Sequence, residues 1–179
     1  MAWKKIESKV LVDSRWVKVS KDVVELPNGE VINDFYAVTI PNAAATVAIT
    51  PQNEVILKSE FRYACGKDLI ELPAGTFEPE EMDALAVAKR ELLEETGYVS
   101  DKWTLLGDTV ESSSKLTNRM HIFLAQDCER VSEQHLDPTE IMDVLVVPLK
   151  DAVEMVMSNE ICCNSTAHGI LKVARMLNQ

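Results

Sequence analysis

The sequence predicts an α+β protein in which a sheet lies between helices and a small antiparallel sheet comes first. A period of two residues dominates the first forty positions, whereas a period near 3.6 first appears at about residue 82. Strands and helices then mix without regular β-α alternation, which favours a helix-sheet-helix sandwich over a doubly wound sheet. The length of 179 residues suits one domain with a small appendage, and we expect a boundary between residues 1–41 and residues 42–179.

The N-terminal region is expected to form an antiparallel hairpin or a three-stranded sheet. Valines at positions 10, 12, 17 and 19 alternate with polar neighbours, which is the pattern of half-buried strands. Asn28-Gly29 supplies the positive φ angles that a tight turn between two strands requires.

The region after Pro41 is more apolar and contains the predicted helices. Pro51-Gln52-Asn53 is a turn between two strands, and Pro73-Ala74-Gly75 is expected to be a loop that leads into the first helix. Strands are predicted over residues 44–50, 54–62, 69–72, 102–110, 121–127 and 141–147. A first helix is predicted over about residues 82–96, and a second begins at Pro148. A third begins near Asn164, which is a good N-cap. Its inward residues are expected to be Ala167, Ile170, Leu171, Ala174 and Leu177.

The composition excludes several classes of function. A formal net charge of -11 argues against binding to nucleic acid or to an anionic membrane surface, because like charges repel. No apolar run approaches the ~20 residues of a membrane span. The four cysteines lack framework spacing and the first residues do not form a signal peptide, so we expect a cytoplasmic protein.

Residues 71–95 carry eight acidic side chains against two basic ones, so the negative charge is concentrated there.

Three of these acids share one face of the first predicted helix. At 100° per residue, Glu91, Glu94 and Glu95 fall within about 100° of arc, near the helix C-terminus, where the macrodipole disfavours negative charge. A solvated acidic face is one interpretation. A site for divalent cations is the other, since Mg²⁺ takes hard oxygen ligands. The flanking residues favour the second, because Arg90 can hold a neighbouring carboxylate and Gly97 ends the helix.

The same segment resembles the Nudix box, G-x5-E-x7-R-E-U-x-E-E-x-G-U, where U is apolar. The second half, Arg90-Glu91-Leu92-Leu93-Glu94-Glu95-Thr96-Gly97-Tyr98, matches at every fixed position. The first half supplies Gly75 and Glu81, but eight residues separate Glu81 from Arg90 where the pattern has seven. We interpret the difference as a one-residue insertion before the helix. The resemblance implies the Nudix fold, an α/β/α sandwich with a mixed sheet.

Further segments resemble one branch of this family, the ADP-ribose pyrophosphatases and related nucleoside-diphosphate-sugar hydrolases. They are Glu60-Phe61-Arg62-Tyr63, Glu71-Leu72-Pro73-Ala74-Gly75 and Arg15-Trp16-Val17-Lys18. The resemblance implies hydrolysis of a nucleoside diphosphate sugar, with ADP-ribose giving AMP and ribose 5-phosphate as the expected reaction. It also implies a homodimer that exchanges the N-terminal sheet, with residues 1–41 for dimerisation and substrate contact and residues 42–179 for catalysis. The alternatives are a GDP-sugar or dinucleotide polyphosphate as substrate, or a ligand-sensing domain without turnover.

The resemblance assigns the metal site to the box. Glu91 and Glu95 are expected to be the principal ligands of Mg²⁺ or Mn²⁺, with Glu94 as a shared ligand and the Ala74 carbonyl as another. Arg90 and Glu94 are also expected to take part in catalysis.

The remaining roles fall outside the box. Glu140 is the expected general base, with a solvated loop acid as the alternative interpretation. Arg62 is expected to bind a substrate phosphate, unless it only forms a surface ion pair. Trp16 and Phe35 are expected to sandwich the nucleobase, one ring from each subunit, although aromatic residues on strands are often plain core.

Overall fold

The computed structural model describes residues 2–178, which form two compact units. One unit contains the residues up to Asn42 together with Val110–Arg119. The other contains Ala43–Thr109 and the residues from Met120 onward. Among the described residues, no helix is both long and apolar enough to cross a bilayer.

The first unit is built on a three-stranded antiparallel sheet, the larger of the two arrangements expected. Its strands are β1 (Lys4–Asp13), β2 (Lys18–Glu25) and β3 (Val31–Thr39), in the order β1-β2-β3. Gly29 adopts a φ of 86° in the turn between β2 and β3, which a residue with a side chain would rarely accept. Every residue of β1 is exposed.

The second unit contains a mixed seven-stranded sheet and three helices. The strands of this unit are β4 (Ala43–Ile49), β5 (Glu54–Arg62), β6 (Lys67–Glu71), β7 (Ala74–Thr76), β8 (Tyr98–Val99), β9 (Lys102–Thr109), β10 (Met120–Gln126), β11 (Glu129–Arg130) and β12 (Met142–Pro148). Seven of these described strands form the mixed sheet in the order β12-β5-β4-β10-β9, with β6 on β5 and β7 on β4, and among them only the β4–β10 pair is parallel. Strands β8 and β11 pair with each other in a separate two-stranded sheet. The helices are α1 (Ala84–Thr96), α2 (Leu149–Met157) and α3 (Asn164–Met176).

Helices cover both faces of this sheet, so the predicted α+β sandwich is confirmed. Strand β4 is buried along its whole length, and its side chains alternate between the two faces. Val47 packs in a cluster with Leu149 of α2 and Ile170 of α3, whereas Ala48 packs in another with Leu92 of α1. Each large side chain buried in this way stabilises the fold by about 1.5–3 kcal/mol.

Three details differ from the sequence prediction. Ala74–Thr76 is a strand that pairs with β4, where a loop was expected. Helix α3 has Cys163 as its N-cap, without a side-chain cap bond, and Asn164 is its first residue. Its inward face is also rotated, because Gly169 approaches the sheet so closely that a Cβ there would lie 2.8 Å from Val47 Cγ2. Leu171, expected inside, is therefore exposed.

Candidate functional site

Helix α1 is fixed at both ends, which sets the orientation of its acidic side chains. The Asp83 carboxylate accepts a hydrogen bond from Leu85 N at 2.9 Å and caps the first turn. Gly97 ends the helix with a φ of 75°, and its N–H donates to the Leu93 carbonyl. A Cβ on Gly97 would lie 2.1 Å from the Ser132 carbonyl oxygen, so the following chain also requires glycine here.

The carboxylates of this helix are largely inside the protein. Glu91 is 8% exposed and Glu95 is 2% exposed, whereas the Glu94 side chain is 43% exposed. Burial raises the pKa of Glu91, and it raises the pKa of Glu95 to about 7. The interpretation of a solvated acidic face is therefore wrong for Glu91 and Glu95, since both face the sheet.

Arg90 holds three carboxylates together. Its Nη1 donates to Glu91 Oε1 at 2.7 Å and to Glu94 Oε2 at 3.1 Å. Its Nε and Nη2 each donate to Glu81 at 3.1 Å, in the bidentate arrangement that suits guanidinium and carboxylate. This hydrogen bond lowers the pKa of Glu81. The one-residue insertion thus leaves Glu81 within reach of Arg90.

Strand β7 brings main-chain groups against the same carboxylates. Ala74 N donates to Glu95 Oε2 at 2.8 Å. A Cβ built on Gly75 would lie 1.9 Å from Glu91 Oε1, closer than any real contact. The glycine of the motif is therefore required by the position of the Glu91 carboxylate.

Lys58 is the residue that the sequence interpretation does not single out. It lies on β5, is 1% exposed, and its ammonium pairs with Glu95 Oε1. Glu60 Oε2 is 3.4 Å from the same Nζ, and the Ala74 carbonyl oxygen is 3.5 Å from it. The available signal was a lysine at an inward position of an apolar strand, where a charge is rarely buried without a partner.

Arg62 lies at the end of β5 among further acids. Its Nε donates to Glu71 Oε2 at 2.6 Å, and its Nη1 lies 3.1 Å from Glu60 Oε1. The ion pair that was the alternative interpretation is present, although 38% of the side chain remains exposed.

The loop after β11 is attached to the end of α1. Gln134 Nε2 donates to the Glu95 carbonyl at 2.7 Å, and His135 N donates to the Glu94 carbonyl at 2.8 Å. Further along this loop, the half-buried Glu140 accepts a hydrogen bond from Asp137 N at 3.0 Å. The carboxylate of Glu140 thus closes a turn within the loop.

Trp16 and Phe35 belong to the first unit, whereas the residues described above belong to the second. Trp16 lies between β1 and β2, is 60% exposed, and has the Arg15 guanidinium 4.1 Å from its ring. Phe35 lies on β3, edge-on to Trp3 at 5.7 Å and beside the Lys115 ammonium at 4.7 Å. Trp16 is therefore not a core residue.

The donor atoms suit a hard divalent cation. Within residues 2–178, no group of three or more His, Cys, Asp or Glu side chains converges as the ligands of a metal would. Glu91 is paired with Arg90, and Glu95 with Lys58. The cluster nevertheless offers only oxygen donors, which is the set that Mg²⁺ or Mn²⁺ prefers.

Residues 40–160 match the NUDIX domain family. The chain belongs to the Nudix hydrolases. Its N-terminal residues 3–38 match a second family, the nucleoside diphosphate sugar hydrolase N-terminal domain. The predicted family and its enzymatic class are therefore confirmed.

Curated relatives align with this Nudix hydrolase over most of their length. It is 32% identical to the ADP-ribose pyrophosphatase of Bacillus subtilis (strain 168), over 93% of this chain and 90% of that protein. It is 30% identical to the GDP-mannose pyrophosphatase of Salmonella typhimurium (strain LT2), over 87% of this chain and 86% of that protein. The crystal structure of an ADP compounds hydrolase has a TM-score of 0.84, covering 99% of this chain and 95% of that one. At 20% identity, that likeness shows the fold.

Proposed function

We propose that this Nudix hydrolase is a metal-dependent pyrophosphohydrolase that cleaves the diphosphate of a nucleoside diphosphate sugar. The observation that carries the proposal is the convergence of Glu91, Glu94 and Arg90 beside Gly75, whose missing side chain makes room for the Glu91 carboxylate. The match of residues 3–38 to a nucleoside diphosphate sugar hydrolase domain supports the substrate class.

The proposed reaction converts ADP-ribose to AMP and ribose 5-phosphate. The ADP-ribose pyrophosphatase relative supports this substrate, and the GDP-mannose pyrophosphatase relative makes a GDP-sugar the second candidate. Both substrates carry two phosphates whose negative charge repels an attacking water.

Metal ions held by the box would relieve that repulsion. Glu91, Glu94, Glu95 and the Ala74 carbonyl are the groups that would hold Mg²⁺ or Mn²⁺, which neutralises phosphate oxygens and activates water when bound. Arg90 orients Glu91 and Glu94 through the two hydrogen bonds of its Nη1. These contacts hold the two carboxylates close to one another in spite of their equal charge.

Four further residues act on the substrate and the water in this proposal. The exposed part of Arg62 binds a phosphate oxygen, and Glu140 accepts the proton of the attacking water. Trp16 is exposed enough to stack on a base, with Phe35 of a second subunit on the other side.

A homodimer of this kind is supported by the first unit. Residues 1–41 would form the dimer and contribute to substrate binding, and residues 42–179 would carry catalysis. Strand β1 exposes apolar side chains such as Ile6, Leu11 and Val12, each about half accessible in the single chain, and a second subunit would cover them. The four free cysteines suit the reducing cytoplasm, where we place the enzyme.

The test is hydrolysis of a substrate panel by the full chain. ADP-ribose, GDP-mannose and a dinucleotide polyphosphate are incubated with Mg²⁺, with Mn²⁺ and with a chelator, and the products are separated by chromatography. We expect cleavage of ADP-ribose first, and loss of all turnover with chelator. Glu91→Gln should lower kcat by at least about 10²-fold while the melting temperature changes little, because a metal ligand becomes neutral.

The same panel separates the alternatives. Preferential cleavage of GDP-mannose would change the substrate and keep the class of reaction. Binding of a nucleotide sugar without cleavage under any metal condition would identify a ligand-sensing domain and overturn the proposal.

A further inference from the structure

The ammonium of Lys58 lies among oxygen atoms that would otherwise be open to a metal ion. Its side chain is 2% exposed and projects from β5 into the cluster of α1 and β7. Three oxygens surround Nζ: Glu95 Oε1 in direct contact, Glu60 Oε2 at 3.4 Å and the Ala74 carbonyl oxygen at 3.5 Å. Glu95 and Ala74 are two of the four groups proposed above to hold metal.

Glu60 gives independent support that this pocket is built for a cation. Its Oε2 is buried and has no hydrogen-bond partner among residues 2–178, and the Lys58 ammonium lies 3.4 Å from it. Its other oxygen, Oε1, lies 3.1 Å from Arg62 Nη1. A buried carboxylate oxygen without a hydrogen bond is costly, so it is retained only beside a compensating charge. Lys58 supplies that charge on the side of Oε2.

A lysine and a divalent ion cannot both occupy this pocket. An ammonium has three donors and one positive charge, and three oxygens already surround it here. A divalent ion that took the same oxygens would have to displace Nζ or bind against its charge. The other two carboxylates of the helix are Glu91 and Glu94, which hydrogen-bond to Arg90 rather than to Lys58.

We propose that Lys58 is a resident cation of this site, which takes the place of one divalent ion between Ala74, Glu95 and Glu60. Divalent ions then bind at Glu91 and Glu94, which narrows the set of metal-holding groups given above, because Lys58 occupies Glu95 and the Ala74 carbonyl. This inference rests on the proposed function, since it concerns the metal ions that the reaction uses. Lys58, which lies outside the Nudix box, thus sets the number of divalent ions that the box binds.

The test measures the number of metal ions that each chain binds rather than the rate of hydrolysis. Mn²⁺ binding to the full chain is measured by calorimetry and by electron paramagnetic resonance, in the wild type and in Lys58→Met, which keeps the length of the side chain and removes its charge. We expect Lys58→Met to bind one additional Mn²⁺ per chain, or its tightest ion at least tenfold more tightly. Lys102→Met is the matched control, because Lys102 is exposed and pairs with Asp127 away from the cluster.

Two measurements guard against a variant that folds poorly. Without metal, Lys58→Met leaves the Glu95 carboxylate buried and unpaired, so its melting temperature should fall, and Mn²⁺ should raise it more than in the wild type. Wild-type crystals soaked in Mn²⁺ give the second measurement, by anomalous scattering. An ion at Glu91 and Glu94 with Lys58 still on Glu95 supports the inference, whereas an ion bound to the Ala74 carbonyl with Lys58 displaced overturns it.

The outcomes separate this inference from the proposed function. Equal stoichiometry and affinity in wild type and Lys58→Met would overturn the role of Lys58 and leave the metal-dependent hydrolase standing. Absence of Mn²⁺ binding by both proteins would overturn both.

Discussion

Replacing Gly75 with alanine should remove activity while leaving the fold nearly intact. The new Cβ would lie 1.9 Å from Glu91 Oε1 and 2.0 Å from Glu91 Cδ, whereas ordinary contacts begin at 3.4 Å. The carboxylate must therefore move by the difference, 1.5 Å. Because the group that moves is the end of a flexible side chain, the cost in stability is small. Gly75 also has no left-handed φ that alanine would strain.

The cost in rate is larger, because Glu91 is a proposed metal ligand. A misplacement of about 1 Å in a reacting constellation can lower the rate about 10²-fold. We therefore expect Gly75→Ala to lower kcat on ADP-ribose with Mg²⁺ by about 10²-fold or more, measured by product formation in steady state. The melting temperature, followed by circular dichroism, should shift by only a few degrees.

Gly169→Ala is the matched control for this substitution. Its Cβ would press on Val47 in the core at 2.8 Å and touches no group of the site. It should lower the melting temperature and leave kcat unchanged, which is the opposite pattern. A Gly75→Ala enzyme with kcat within twofold of the wild type would refute the reasoning.

Three further predictions concern other residues. Glu140→Gln should lower kcat by about 10²–10⁴-fold if Glu140 is the general base, and an unchanged rate would remove it from the mechanism. Burial raises the pKa of the Cys128 thiol to about 12, so little reactive thiolate forms there at pH 8. After treatment of the folded protein with iodoacetamide at pH 8, mass spectrometry should find the exposed Cys65 modified and Cys128 unmodified. Equal modification of both cysteines would contradict this prediction. The hydrogen bond from Ser8 lowers the pKa of the Asp22 carboxyl in the folded protein. This hydrogen bond therefore stabilises the fold at pH values above the ordinary pKa near 4, and its contribution is lost as the pH falls through the lowered pKa. Ser8→Ala should accordingly melt below the wild type at pH 7 and close to it below about pH 3; a gap that persists at low pH would argue against this linkage.

The sequence predicted the fold well where local pattern and tertiary burial agree. Helix α1 begins and ends within two residues of its prediction, because Asp83 and Gly97 are strong local signals. Strand β5 matches its prediction at both ends. The face of α3 was predicted correctly at Ile170 and Ala174 and wrongly at Leu171, because the close approach of Gly169 to the sheet is a property of packing.

The candidate site was predictable only in part, for the same reason. The spacing of Glu91, Glu94 and Glu95 on one helical face is visible in the sequence, and so is Arg90 beside them. Lys58 was not found, since it precedes Glu91 by 33 residues along the chain and directly follows the apolar run Val55-Ile56-Leu57 of its strand. Only the pairing of β5 with its neighbours brings its ammonium to Glu95.

The attachment of the loop to the end of α1 has a consequence for the evolution and engineering of this enzyme. Gln134 and His135 satisfy the terminal carbonyls of the helix, so the loop begins at a fixed point. Residues 137–139 beyond it are exposed. Insertions or exchanged segments placed after His135 should therefore leave the acidic helix undisturbed and change only the position of the turn that Glu140 closes. The same exchange placed before Gln134 would release the helix end, so His135 marks the upstream limit for a library of loop variants.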